Sequence, residues 1–291
     1  MFNETELGIV RAAYAKQVMA AASAADTRVE AAFAHVPREA YLGDGPWPVA
    51  RSFGVYSMTP SADPVYLYTD DLVALVPKRG LNNGQPSFHA HLLAAAAPKR
   101  GEHVVHIGTG TGYYTAIIAA LAGENGRVTG IEVDADLAER ARRNFKTQPH
   151  VEIITGNGAT TPFDTANVIY VNAGVTRPAD HWLDRLADGG RLVLPLTTGQ
   201  AFTQPAATAA DIATRGAVFL IERRGQDFLA RWISPVAVFP CTGVRDEESE
   251  RALATALSTG RWSEVTRLHR HTDNADENAF LKGRGWSLAY A

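Results

Sequence analysis

The 291-residue sequence predicts a doubly wound α/β sheet, preceded by helices and followed by a C-terminal extension. Three observations carry this prediction. Short apolar runs alternate with segments of helical periodicity from residue 103 to residue 195. A turn with three glycines joins the first of these runs to the first of these helices. An acidic residue ends the next run, and such folds bind ligands at the carboxyl ends of their strands.

The N-terminal third predicts helices around one irregular segment. Amphipathic helices are predicted over residues 6–22 and 27–36. Residues 43–64 are dense in Gly, Pro and Ser, which predicts an irregular loop, and a loop this long is usually functional or mobile. A third helix is predicted over residues 86–98, with a proline at its first position and another as its stop.

From residue 103 onward the predicted elements alternate. Strands are predicted over 103–107, 127–132, 151–154, 167–172 and 190–195, and helices over 112–122, 135–145 and 179–187. Residues 217–224 and 228–240 predict two longer strands that can pair antiparallel across a turn. Residues 246–258 predict a helix, and the tail to residue 291 has no pattern that places it.

Composition and charge exclude several classes of function. Apolar residues make up 46% and charged residues 20% of the chain, and the net charge of −3 gives no attraction for nucleic acid or an anionic membrane. The single cysteine, Cys241, excludes an internal disulfide and fits a reducing compartment. No run of 18 apolar residues and no secretion signal occurs, so we expect a cytoplasmic protein. His89 and His91 face different sides of a helix, so no metal site is predicted.

The glycine turn in "VVHIGTGTGYYTA", residues 104–116, predicts a nucleotide-like ligand. Gly108, Gly110 and Gly112 let the backbone approach a ligand, and the helix that follows directs free N–H groups at it. The dinucleotide fingerprint requires its third glycine at position 113, where this chain has Tyr113. A nicotinamide-dependent oxidoreductase is therefore disfavoured.

The acidic residue after the second strand sharpens this interpretation. Glu132 lies 132 − 112 = 20 residues beyond the last glycine of the turn. Nucleotide-binding βαβ units place a carboxylate at about this spacing, where it accepts two hydrogen bonds from a ribose diol. The sequence therefore predicts a ribose at Glu132.

Six segments between residues 28 and 240 together resemble the protein-L-isoaspartate O-methyltransferase family of S-adenosylmethionine-dependent enzymes. They are "RVEAAFAHVPREAYL", "NNGQPSFHA", "GEHVVHIGTGTGYYTAIIAAL", "GRVTGIEVD", "ITGNGAT" and "LADGGRLVLPL". The resemblance implies a Rossmann-like methyltransferase fold and S-adenosylmethionine as cofactor. It implies that the cofactor is bound by Gln85, His106, Gly108, Thr109, Gly110, Gly112, Glu132, Val133, Asn157 and Gly158. The residues around the corresponding acceptor segment, Asn83, Gly84, Ser87 and His89, are the predicted catalytic residues on the acceptor side.

Three positions depart from the family pattern. His106 stands where such methyltransferases usually have an acid, so we expect cofactor affinity to weaken below the pKa of His106. Asn157 replaces an acid on the adenine side, and its amide oxygen can still accept a hydrogen bond. Gly84 replaces a serine beside the acceptor, so we expect Gly84→Ser to raise any activity on isoaspartyl groups.

A carboxylate is the acceptor that fits these residues best. A carboxyl group exposed to water has a pKa of about 4 and is ionised at pH 7, so it needs no catalytic base. His89 is the available base if the acceptor is instead a hydroxyl or an amine.

Three regions with different roles are expected. They are residues 1–85 with the N-terminal helices and an acceptor-side loop, residues 86–240 with the cofactor-binding core, and the extension 241–291. The extension would line an acceptor pocket or join copies of the chain. The acceptor stays open between an isoaspartyl or aspartyl residue, a dedicated peptide and a small acid, and a cofactor-binding module without catalysis is the alternative from another class.

Overall fold

The N-terminal helices begin and end within two residues of their predicted positions. Helix α1 spans Glu4–Ala21, and helix α2 spans Thr27–His35. The structure, a computed structural model, describes residues 2–50, 55–200, 208–270 and 278–291. Helix α1 begins at a capping box, in which the side chains of Asn3 and Glu6 each accept a hydrogen bond from the other's backbone N–H.

The segment predicted as an irregular loop contains two strands of a small antiparallel sheet, so that prediction is wrong for them. Strand β1 spans Pro48–Ala50, β2 spans Ser57–Met58, β3 spans Leu72–Val76 and β4 spans Leu81–Asn82, in the order β2-β1-β3-β4. Residues 51–54 of the same prediction lie outside the described residues. Strands of two or three residues are too short to give an alternating pattern in the sequence. The sheet has a core of its own, formed by Leu42, Trp47, Val49, Leu67 and Val73.

The remaining elements include every strand and helix predicted between residues 86 and 258, together with one short helix and three strands that were not predicted. They are α3 Pro86–Ala96, β5 His103–Ile107, α4 Tyr113–Ala122, β6 Arg127–Glu132, α5 Ala135–Phe145, β7 Val151–Thr155, β8 Ala166–Val171, α6 Asp180–Asp184, β9 Leu186–Thr197, α7 Ala209–Ala213, β10 Gly216–Arg224, β11 Asp227–Pro235, α8 Glu247–Ser258, β12 Arg267–Arg270, β13 Ala279–Gly283 and β14 Trp286–Ala289. The predicted α/β class is confirmed.

The chain folds into two compact units. The first unit is Met1–Glu102 with Thr109–Thr155, and the second is His103–Gly108 with Gly156–Ala291. In the first unit, β6 and β7 pair in parallel, and α5 packs against both strands. Helix α2 contacts α1, α3 and α4 within the same unit. The division predicted at residues 85 and 240 stays a prediction.

The second unit is built on a mixed sheet. Its strands have the order β13-β14-β12-β11-β10-β9-β8-β5. Strands β5, β8 and β9 are parallel, and the strands from β9 to β13 pair antiparallel. The parallel strands are buried over most of their length, with Val104, Ile169 and Val193 fully buried. Continuous apolar runs are typical of parallel strands that are covered on both faces.

Three predictions in this unit need correction. The strand predicted over residues 228–240 ends at Pro235, so its last five residues are not part of β11. The helix predicted over residues 179–187 is shorter, because β9 already begins at Leu186 instead of residue 190. Strand β9 starts with the stretch "LADGG", which is polar and contains two glycines. It therefore lacks the apolar pattern from which a strand is predicted. The tail that had no pattern supplies β12, β13 and β14, with residues 271–277 outside the described part of the chain. No described helix is long and apolar enough to cross a membrane.

Candidate functional site

The glycine turn has the backbone conformation that its sequence predicts. Gly108, Gly110 and Gly112 all have positive φ angles, of 80°, 56° and 100°. Thr109 and Thr111 lie between these glycines and belong to the first unit, and their side-chain hydroxyls are buried. Neither hydroxyl has a hydrogen-bond partner among the described residues. Buried polar groups are normally hydrogen-bonded, so these two hydroxyls are suited to a polar ligand.

Glu132 is joined directly to this turn. One carboxylate oxygen of Glu132 accepts a 2.7 Å hydrogen bond from the N–H of Gly110, and the other accepts a 3.0 Å bond from the N–H of Asp134. Burial raises the pKa of Glu132, while these backbone donors favour its ionised form. A carboxylate can accept about four hydrogen bonds in all, so Glu132 can still accept from a ligand. Val133, the next residue, is 55% exposed.

His106 lies inside the second unit and is fully buried. Its ring meets the edge of the Tyr170 ring, with 5.4 Å between the centroids. Burial lowers the pKa of His106 to about 3, because a charged imidazolium would lose its hydration there. His106 therefore stays neutral from pH 5 to pH 8. Any weakening of cofactor affinity by protonation of His106 is therefore expected only below this range.

Asn157 and Gly158 form a tight turn in the second unit. The Oδ1 atom of Asn157 accepts a 2.9 Å hydrogen bond from the N–H of Ala159. The carbonyl of Gly158 accepts a 2.8 Å bond from the indole N–H of Trp182. A Cβ at Gly158 would overlap the side chain of Ile107, at the end of β5. Gly158 is thus needed for packing against β5, whatever it contributes to a ligand.

Ser87 of the predicted acceptor side and Gln85 of the predicted cofactor set both bind Asp70, which the sequence analysis missed. The carboxylate of Asp70 accepts hydrogen bonds from the backbone N–H and hydroxyl of Ser87, at 2.7 and 2.6 Å. It also accepts a 2.8 Å bond from the side-chain amide of Gln85. Ser87 and Gln85 are therefore held by Asp70 at the start of α3. No sequence signal links Asp70 to residues 15 and 17 positions away.

Asn83 is held by a second network, around the fully buried Arg38. The Oδ1 atom of Asn83 accepts hydrogen bonds from the N–H of Val73 at 3.1 Å and from the guanidinium of Arg38 at 3.3 Å. The same guanidinium donates to the carbonyls of Leu67, Thr69 and Asp71. The Nδ2 atom of Asn83 is buried and has no partner among the described residues. It is a fixed donor that remains available.

Gly84 and His89 are in direct contact. Gly84 has a φ of +77°, and a Cβ added there would overlap Nε2 of His89. The His89 ring stacks on Tyr114 with 3.5 Å between centroids, and the Tyr114 hydroxyl donates to the carbonyl of Gly84 at 3.0 Å. Only glycine fits this position without displacing the imidazole. We therefore expect that Gly84→Ser as a single substitution displaces the His89 ring instead of adding an acceptor contact.

These features define an α/β protein with a nucleotide-type glycine turn, a carboxylate tied to that turn and an ordered polar loop. The profile of the protein-L-isoaspartate(D-aspartate) O-methyltransferase family matches residues 13–215. The chain belongs to this family. Its members are S-adenosylmethionine-dependent methyltransferases, as the sequence analysis expected.

Relatives named protein-L-isoaspartate O-methyltransferase are similar over part of their length. The protein of Thermotoga maritima is 29% identical over 182 residues, which cover 60% of this chain and 52% of the relative. The protein of Brucella anthropi is 33% identical over 178 residues, covering 59% and 70%. The protein of Ignicoccus hospitalis is 36% identical over 118 residues, covering 38% and 54%. The chain thus spans about half the length of the Thermotoga and Ignicoccus relatives.

Solved structures share the fold. A protein-L-isoaspartate O-methyltransferase has a TM-score of 0.62 at 19% identity, covering 95% of this chain and 87% of that chain. A Plasmodium falciparum protein described as a putative member of the family, in complex with S-adenosyl-L-homocysteine, has a TM-score of 0.59 at 18% identity. This alignment covers 80% of this chain and 98% of that chain. At these identities the likeness confirms the Rossmann-like methyltransferase fold.

Proposed function

We propose that this chain is an S-adenosylmethionine-dependent O-methyltransferase that methylates a carboxylate, namely an isoaspartyl or aspartyl residue of a peptide or protein. The match of the family profile to residues 13–215 carries the proposal. The bond between Glu132 and the glycine turn supports it, because it fixes a carboxylate where a ribose diol would bind. A cytoplasmic location and an association between copies of the chain stay predictions.

The residues of the first unit fit the cofactor. Glu132, which the N–H groups of Gly110 and Asp134 hold in place, would accept hydrogen bonds from the ribose diol. The exposed Val133 would pack against the adenine ring. The buried hydroxyls of Thr109 and Thr111 would bind polar atoms of the cofactor. Gln85, Gly112, and the second unit's His106, Gly108, Asn157 and Gly158 remain predicted cofactor residues.

Carboxyl methylation suits the acceptor-side residues. The bound cofactor would supply a methyl group on a sulfonium. An acceptor carboxylate with a pKa of about 4 is already ionised at pH 7, so the protein needs to position it and exclude water. Nδ2 of Asn83 is a buried donor that would hold such a carboxylate. His89 is 1% exposed and stacked on Tyr114, which suits a positioning role better than a proton acceptor.

A second candidate is a methyltransferase with a specialised peptide or small-acid acceptor. The packing of His89 against Gly84 favours it, because an imidazole fills the space where the family pattern has a serine side chain. This difference alters the acceptor side and leaves the glycine turn and Glu132 unchanged.

Methyl transfer to matched peptides tests the proposal. The full chain is incubated with methyl-labelled S-adenosylmethionine and two peptides that differ only in an isoaspartyl or aspartyl linkage. Mild base then releases label that was present as a methyl ester. Base-labile label on either peptide supports carboxyl methylation, and the preference between the two identifies the acceptor.

Binding measurements make the negative outcome informative. If S-adenosyl-L-homocysteine binds and neither peptide is labelled, the acceptor is a different molecule or the chain is a cofactor-binding module. If S-adenosyl-L-homocysteine does not bind, the proposed cofactor is wrong. Glu132→Ala serves as the control, because it should reduce both binding and transfer.

A further inference from the structure

A segment beyond the family match, residues 239–250, is bound to the loop that follows strand β8. This segment starts 24 residues after the match ends at residue 215. The N–H of Gly174 donates to the carbonyl of Phe239 at 2.7 Å, and the N–H of Cys241 donates to the carbonyl of Gly174 at 2.8 Å. The N–H of Thr176 donates to the carbonyl of Val244 at 3.0 Å. Residues 172–177 are therefore paired with the C-terminal segment along much of their length.

Arg245 extends this pairing into a network of side chains. Its guanidinium donates to the carbonyl of Gly174 and to the hydroxyl of Thr197, both at 3.0 Å. It also binds the carboxylate of Glu250 at 3.1 Å, and that carboxylate accepts a 2.7 Å bond from the N–H of Gly199. Arg245 thus joins the loop after β8, the end of β9 and helix α8. Its side chain is only 16% exposed, so these bonds are shielded from water.

The same segment contacts Asn157 through Gly243. Gly243 has a φ of +89°, and a Cβ placed there would lie 2.5 Å from Nδ2 and 3.1 Å from Oδ1 of Asn157. Such distances are far below van der Waals contact, so any larger residue would displace the amide. The backbone of the C-terminal segment therefore fixes the side chain of Asn157 from one side, while the N–H of Ala159 fixes it from another.

The position of these contacts in the fold gives them a functional meaning. Doubly wound sheets bind ligands outside the carboxyl ends of their parallel strands. The loop 172–177 directly follows the carboxyl end of β8 at Val171. The side chain of Asn172, the first residue of that loop, donates to the carbonyl of Gly108 in the glycine turn at 3.3 Å.

We propose that residues 239–250 are a positioning element for the cofactor, which orients Asn157 through Gly243 and the loop 172–177 through Arg245. This inference rests on the proposed function, because it assumes that the cofactor is bound beside Asn157. These residues of the C-terminal region then belong to the cofactor site, although they lie outside the family match.

Binding of S-adenosyl-L-homocysteine, measured by calorimetry on the full chain, tests the contact with Asn157. Gly243→Ala should weaken binding by about tenfold, the equivalent of one lost hydrogen bond. Gly225→Ala is the matched control, because Gly225 also has a positive φ, +60°, but has nothing within 4 Å of an added Cβ. Both variants carry the same kind of backbone strain, so the difference between them isolates the contact with Asn157.

A double-mutant comparison separates positioning from general damage. If Gly243→Ala acts through the Asn157 side chain, it should add little to the weakening caused by Asn157→Ala. An equal effect in both backgrounds would overturn the inference, as would wild-type affinity in Gly243→Ala. Absence of binding by the wild-type chain would overturn the proposed function itself, and the inference with it.

The proposed role of Arg245 in orienting the loop 172–177 provides an independent test if Gly243→Ala does not fold. Arg245→Ala should weaken binding of S-adenosyl-L-homocysteine severalfold, while Arg251→Ala, at an exposed position on the following helix α8, should leave it unchanged. Melting temperatures confirm that both variants are folded at the temperature of the measurement. Equal affinity in the two arginine variants would contradict a positioning role for Arg245.

Discussion

The buried His106 should make the stability of this protein depend on pH. Burial lowers its pKa from 6.5 to about 3 in the folded chain, whereas the unfolded chain exposes the ring to water. Below pH 6.5 the unfolded state therefore binds a proton that the folded state does not. Its contribution to stability is complete above pH 6.5 and is lost progressively as the pH falls toward 3.

The size of the effect follows from this difference in pKa. One unit of pKa corresponds to about 1.4 kcal/mol, and pH 5 lies about 1.5 units below the pKa of an exposed histidine. Between pH 7 and pH 5, His106 alone should thus lower the free energy of unfolding by about 2 kcal/mol. This is a substantial fraction of the total, since native proteins are stable by about 5–15 kcal/mol.

Denaturant unfolding at pH 7, 6 and 5 measures this effect. His106→Leu is the reference, because it has a side chain of comparable size that does not titrate. The wild-type chain should lose about 2 kcal/mol more than the variant between pH 7 and pH 5, whatever the absolute stability of the variant. Equal losses in the two proteins would refute the reasoning and show that His106 is accessible to protons in the folded state.

Three further predictions concern the site. Glu132→Ala should weaken binding of S-adenosyl-L-homocysteine by about 1.5–3 kcal/mol, as expected for hydrogen bonds to a charged group; unchanged affinity in calorimetry would place the ribose elsewhere. Gly84→Ser should lower the melting temperature and any methyl transfer to an isoaspartyl peptide, and His89→Ala should partly relieve this loss in the double variant, whereas a rise in activity of the single variant would contradict the packing argument. Asp70→Ala should destabilise the chain by about 1–2 kcal/mol in thermal unfolding, because the start of α3 loses its acceptor, while the exposed Asp44→Ala should change little.

The parts of the site that could be predicted are those formed by short stretches of sequence. The three glycines and Glu132 are separated by a fixed length of strand and helix, so their spacing determines that they meet. The order of strands and helices from β5 to β8 could be predicted for the same reason, since apolar runs and helical periodicity are local signals.

The parts that were missed depend on contacts between distant residues. Asp70 binds Ser87 and Gln85 through a side chain whose role no local pattern indicates. The strands β12 to β14 have only four or five residues each, too few to give a clear alternating pattern, and each is held in place by pairing with a neighbouring strand. The low pKa of His106 arises from complete burial, which the sequence alone does not give.

Two alternatives to an isoaspartyl methyltransferase are a methyltransferase with a different acceptor and a module that binds the cofactor without catalysis. The acceptor-side residues of this chain distinguish between them. A module that only binds the cofactor would need the glycine turn and Glu132, but it would have no use for an ordered acceptor side. In this chain Asp70 still fixes the start of α3, and the buried Arg38 still fixes Asn83, although burying a guanidinium is costly. A loop held by this much buried polar structure is typical of a surface that must position a second molecule. The packing of His89 into the space at Gly84 therefore favours a changed acceptor over a loss of catalysis, and turnover of labelled S-adenosylmethionine with candidate peptides is the measurement that separates them.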